Sequence, residues 1–131
     1  MQQISRAVGV VICSIFVLTM FAGVGVADSL SNKWRIKVNH KAKSDGTIVF
    51  RMTPKGQAAK EISVNIKDGT RENRVANTIE NAFRKQMPDG YKVERDDFED
   101  VLVKKRLNAP RFGLELVTNT VKRVNIRMHK E

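Results

Sequence analysis

Cysteine is nearly absent from this chain. The single one, Cys13, lies in the middle of an apolar run. A lipoprotein signal places its cysteine behind small residues, after the apolar run, and Cys13 comes too early for that. If the leader that holds it is removed, the remainder has no thiol. Disulfide and thiol chemistry are then excluded, and the domain must fold by packing alone. No Asn-x-Ser/Thr sequon follows residue 27. Both absences fit a bacterial periplasm or exterior better than a eukaryotic secretory route.

Catalytic and metal signatures are equally sparse. His40 and His129 stand apart, with no H-x-x-x-H spacing and no cysteine neighbour, so zinc is unsupported. Ser44 and Ser63 lack the Gly-x-Ser-x-Gly elbow. Residues 94–100 hold five carboxylates in seven positions but not the Asp-x-Asp-x-Asp-Gly loop of a calcium site. They read as an Asp-rich turn whose carboxylates screen nearby basic strands. The sequence therefore points to a non-catalytic protein with no cofactor and no metal.

What is present begins with the leader. Arg6 is followed by about twenty uncharged residues, then Gly25 and Ala27, then a polar and basic segment. A basic start, an apolar stretch over residues 8–21 and small residues before Asp28 describe a secretory signal over residues 1–27. The alternative is an uncleaved single-pass anchor, because residues 7–27 are long enough to span a bilayer. Either way the domain works outside the cytoplasm, in the periplasm or secreted, and cleavage leaves no membrane span. Residues 28–33 read as a flexible leader and residues 34–131 as one domain.

Charge is strongly lopsided. Arg6 is the only charged side chain in the first 27 residues, so removing them takes the net charge from +10 to +9. Outside the cytoplasm the matching anions are lipid head groups, lipopolysaccharide, acidic glycans and acidic proteins.

Along the domain, apolar residues alternate in seven segments. Trp34, Ile36 and Val38 form the first, and Ile48, Phe50 and Met52 the second. Asp45-Gly46 between them predicts a tight hairpin. Ile62, Val64 and Ile66 form the third. Val75, Ile79, Ala82, Phe83 and Met87 follow helical spacing, with Thr70 or Asp68 as the cap and Pro88-Asp-Gly90 as the stop. Four further strands centre on Val93, residues 101–103, Leu114 and Ile126. The order is βββ-α-ββββ. Clean alternation predicts antiparallel pairing with one wet face. The fold class is α+β, a two-layer sandwich with one amphipathic helix on one face of a mainly antiparallel sheet.

The wet faces carry Arg35, Lys37, Arg51, Lys92, Lys104, Arg123, Arg127 and His129. On adjacent strands, roughly 5 Å apart, such residues would form a basic platform for phosphate or sulfate groups. Arg35, Lys37, Arg51, Lys104, Arg123 and Arg127 are the candidate anion-binding residues, and a solvated strand face is the plain alternative. Trp34, Phe50, Tyr91 and Phe112 fall on the inward faces, so the platform lacks stacking aromatics and nucleic acid is not an expected partner. Phe98, inside the acidic run, folds back onto the core in the ordinary reading. If exposed, it is a protein-contact point. The sequence thus predicts a small exported binding or accessory protein of the cell envelope. Its partner is an anionic component met through the basic sheet face. The alternative is a protein–protein module (an inhibitor, adaptor or subunit) using a sheet edge or the Phe98 turn, and an unassigned small enzyme is third.

Overall fold

The computed structural model describes residues 29–131, and the leader reading and Cys13 lie outside them. The elements are β1 (Lys33–Asn39), β2 (Gly46–Pro54), β3 (Lys60–Ile66), α1 (Glu72–Gln86), β4 (Tyr91–Asp96), β5 (Asp100–Lys105), β6 (Phe112–Asn119) and β7 (Asn125–Lys130). The α+β class and the βββ-α-ββββ order are those the alternation implies. All pairing is antiparallel. The strands divide into two sheets, β4-β5-β1-β7 and β3-β2-β6, rather than one continuous sheet.

The expected β1–β2 hairpin does not form. β1 pairs with β5 and β7, and β2 pairs with β3 and β6. Gly46 opens β2 and is needed for space, not for a left-handed turn. A Cβ there would sit 2.8 Å from the Val121 amide nitrogen and 2.9 Å from the Thr120 carbonyl carbon. The loop after β1 thus carries the chain across to the other sheet.

One core joins the two sheets and the helix. Trp34, Ile36 and Val38 of β1 share it with Ile48, Phe50 and Met52 of β2 and with Ile62, Val64 and Ile66 of β3. The Trp34 indole Nε1–H donates to the Phe112 carbonyl at 2.9 Å, tying β1 to β6. Tyr91 of β4 meets Phe112 edge to face, with ring centroids 5.1 Å apart. Such contacts fix the sheets relative to each other, because aromatic pairs prefer this geometry.

α1 buries Val75, Ala76, Ile79, Ala82 and Phe83 on one stripe, and Phe83 lies 5.2 Å from Phe50. It packs against β3 of one sheet and β4, β1 and β5 of the other. Neither Thr70 nor Asp68 caps it. Arg71 occupies the N-cap position without a side-chain bond, while the Thr70 hydroxyl donates back to the Lys67 carbonyl at 2.6 Å. Glu72 in the first turn and Arg84 and Lys85 in the last still complement the helix dipole.

Three further residues depart from the sequence reading. Phe98 is 74% exposed at the β4–β5 tip and takes no part in the core. Leu102 is outward-facing yet 6% exposed. It is flanked in register by Arg35 and Glu94, whose long stems can shield an apolar neighbour. Ser31, in the segment expected as a flexible leader, bridges to Phe112 and donates from its hydroxyl to the carbonyls of Lys33 and Glu131. No helix among the described residues is long and apolar enough to cross a membrane.

Candidate functional site: a basic loop end

Half of the expected platform is internally neutralised: Arg35, Arg51, Lys92 and Lys104 each meet a carboxylate. Arg35 on β1 is held from three sides. Its Nη1 lies 2.8 Å from Asp100 Oδ2 and 2.9 Å from Asp96 Oδ2, and its Nε donates to the Glu131 carboxylate. Antiparallel register explains this: Asp100 and Asp96 face each other on β5 and β4, one row from Arg35. The hydrogen bonds to Glu131 and then Asp100 raise the Arg35 pKa further above an already high value. The same contact with Arg35, followed by one with Lys33, holds the Glu131 carboxyl below its ordinary range.

Lys104 and Lys92 share one carboxylate. Glu94 Oε1 lies 2.8 Å from Lys104 Nζ, and Oε2 lies 3.4 Å from Lys92 Nζ. The bond from Lys104 is the main reason the Glu94 carboxyl titrates low. Arg51 sits on the other sheet altogether, between Glu61 and Glu115, at 3.0 and 2.9 Å. The acidic run of residues 94–100 therefore supplies counter-charges to β1, β4 and β5. Among the described residues no group of three or more metal-ligating side chains occurs.

Of the six candidate anion-binding residues, the structure brings Lys37, Arg123 and Arg127 together at one end. Lys37 and Arg127 are cross-strand partners. Arg123 lies in the turn that leads into β7, with a left-handed backbone, φ 77°. Arg35, Lys104 and Arg51 are spread over two sheets and engaged with carboxylates. Among the described residues, none of Lys37, Arg123 and Arg127 has a carboxylate oxygen within 4.0 Å.

The same end gathers three loops. Ala42 N–H donates to the Thr70 carbonyl and Gly69 N–H to the Ala42 carbonyl, each at 2.9 Å. Lys43 N–H donates to the Lys122 carbonyl at 2.9 Å, and Lys122 N–H to the Ser44 hydroxyl at 2.9 Å. Asp45 accepts from the Asp68 amide at 2.8 Å, so this carboxylate serves the loop backbone. These bonds fasten loops 40–45, 67–71 and 120–124 into one surface. It presents Lys41, Lys43, Lys67, Arg71, Arg74 and Lys122, again without a carboxylate oxygen within 4.0 Å among the described residues.

An open groove of about 550 Å³ runs along this surface, lined by residues 67–71 with Arg74, Asn77 and Thr78. A smaller hollow of about 290 Å³ connects Lys41 and Arg71 to Phe98 and Glu99. His40 and Asp97 flank the region with left-handed backbones, φ 71° and 54°. Three non-glycine residues at positive φ in one region is uncommon and signals a surface whose loops are held by their surroundings.

Six of these cations were not among the candidates read from strand periodicity. For five the signal lay in the turns, His-Lys-Ala-Lys at 40–43, Lys-Asp-Gly-Thr-Arg at 67–71 and Lys-Arg at 122–123, and the sixth, Arg74, stands in the first turn of α1. No protein-family model, curated protein or solved structure matches the chain. Its class rests on fold and surface: an α+β domain of two antiparallel sheets and one helix, with a basic end built from three bonded loops.

Proposed function

We propose that the domain is a non-catalytic envelope-binding protein that holds an anionic component through this loop end. The component is a lipid head group, lipopolysaccharide or an acidic glycan. The leader over residues 1–27 delivers the domain to the periplasm or exterior, or tethers it there. One observation carries the reading: among the described residues the loop-end cations lack the carboxylate partners that Arg35, Arg51, Lys92 and Lys104 have on the sheet faces. A cation already paired gains little from an external anion, whereas an unpaired cation keeps its field and its donors. Arg71, Arg74 and Arg123 offer forked guanidinium groups suited to phosphate and sulfate oxygens.

The test compares vesicle retention. Full-length protein should bind phosphatidylglycerol or lipopolysaccharide vesicles and not phosphatidylcholine, and added salt should weaken binding, since exposed charges are screened within about 8 Å at physiological ionic strength. Arg71, Arg74, Lys122 and Arg123 changed together to Gln should abolish retention. Arg51→Gln should leave it unchanged. Equal retention of the fourfold variant and the wild type would overturn the reading.

A second reading rests on Phe98. At 74% exposure it is a large apolar side chain set at a loop tip beside Glu99. It would serve a protein partner, and Phe98→Ser would then abolish a pull-down that survives high salt.

A further inference from the structure

We infer that the outer edge of β7 is a docking site for an extended acidic segment of another protein, added as an eighth strand.

The two sheets have four edges, and three of them are guarded. On β3, the Gln86 side chain occupies the backbone groups of Ser63. On β4, α1 runs alongside, and Arg95 Nη1 donates to the Asn73 carbonyl at 3.0 Å. On β6, Val117 is an extra residue opposite the Val49/Phe50 step, and Ser31 bridges to Phe112. A bulge of this kind disrupts further pairing, and natural sheets guard their edges with such devices.

β7 differs. Glu131 N–H donates to the Lys33 carbonyl at 2.9 Å. In the β1–β7 register this fixes the phase: Arg127 and His129 turn their backbone groups toward Lys37 and Arg35. In an antiparallel ladder the alternate residues then turn theirs away. The N–H and C=O groups of Ile126, Met128 and Lys130 therefore face outward. Among the described residues, β1 is the only strand paired with β7.

The side chains complete the argument. Ile126 and Met128 point toward the core yet stay half-buried, as does Leu116 of the neighbouring edge strand β6. The apolar layer is unfinished along this seam. An added strand would place its own apolar residues opposite Ile126 and Met128, since directly paired residues share a face. Its alternate residues would lie beside Arg127 and His129. Residues 116–130 contain Lys122, Arg123, Arg127 and Lys130 and no carboxylate. Charge complementarity thus selects Asp or Glu at those alternate positions. A second copy of the chain fits poorly, because β7 against β7 would set these cations against one another. Main-chain bonds would supply affinity and the alternating side chains specificity, as in other strand-addition complexes.

The probe is the end-blocked peptide Glu-Val-Glu-Val-Glu-Val-Glu, and the readout is amide exchange of the full chain. At about ten times Kd, exchange at Ile126, Met128 and Lys130 should slow about tenfold. Arg127→Glu should lose binding, whereas Arg71→Gln with Arg74→Gln should keep it. A reordered peptide, Glu-Glu-Val-Val-Val-Glu-Glu, should protect none of the three amides. The inference is overturned if no binding is detected at millimolar peptide. Binding without protection of those amides, or equal protection by both peptides, also overturns it. So does slow exchange before peptide is added in a chain that sediments as a dimer.

Discussion

The side-chain amide of Gln86 engages the backbone of Ser63 in both directions. Ser63 N–H donates to Gln86 Oε1 at 3.0 Å, and Gln86 Nε2 donates to the Ser63 carbonyl at 2.9 Å. The last residue of α1 thereby imitates one residue of a neighbouring strand. It closes the β3 edge and fastens the helix end to the three-stranded sheet.

Gln86→Ala should remove both bonds. Because water competes at this exposed position, the loss should be about 1 kcal/mol, measurable as a shift of the urea midpoint at unchanged slope. Gln86→Glu keeps the acceptor and loses the donor, so it should fall between the two. A stability for Gln86→Ala equal to that of the wild type would show that the clamp contributes nothing.

Gly46→Ala should loosen the loop end. The new Cβ would meet backbone atoms of Thr120 and Val121 at 2.8 to 2.9 Å, and backbone cannot swing aside as a side chain can. A cost of about 1–3 kcal/mol is expected from such overpacking. Amide exchange should rise first at Thr120 and Lys43, whose bonds to Thr47 and Lys122 depend on this approach. If thermal stability and exchange both stay at wild-type values, the close approach is not a constraint.

Stability should depend on acid through Glu131 and Glu94. Both carboxyls titrate below their ordinary value of 4.5 because Arg35 and Lys104 hold their charged forms. The unfolded chain binds protons there more readily than the folded one. Their contribution is therefore complete above the ordinary value and is lost as pH falls through the lowered folded values. Urea midpoints should be flat from neutrality down to about pH 5 and decline below it. Arg35→Gln should flatten the part of that decline due to Glu131. An unchanged acid profile in Arg35→Gln would remove Glu131 from the account.

Much of the fold was legible in the residues taken in order. The alternation of Trp34, Ile36 and Val38, or of Ile62, Val64 and Ile66, marks strands because side chains flip face at every step. The helical stripe from Val75 to Phe83 is equally local, and Pro88 to Gly90 ends it. The site was less legible. Arg35 reads as a solvated cation on its strand, and so do Lys104 and Arg51. Their carboxylate partners come from distant segments: Asp100 lies 65 positions from Arg35 and Glu131 lies 96 positions away.

The sequence by itself determined the α+β class, the order of elements, most of the strand and helix residues that fill the core and the excess of positive charge. These follow from periodicity, turn chemistry and composition, which act over a few residues. Tertiary structure alone decided that β1 joins β5 and β7 instead of β2. Among the described residues it also decided which cations meet carboxylates and which do not, that Phe98 stands in solvent, and that β7 keeps an open edge. Each of these depends on which distant segments the packed core brings side by side. That is where neutralised charge separates from available charge, and a satisfied backbone from an unsatisfied one.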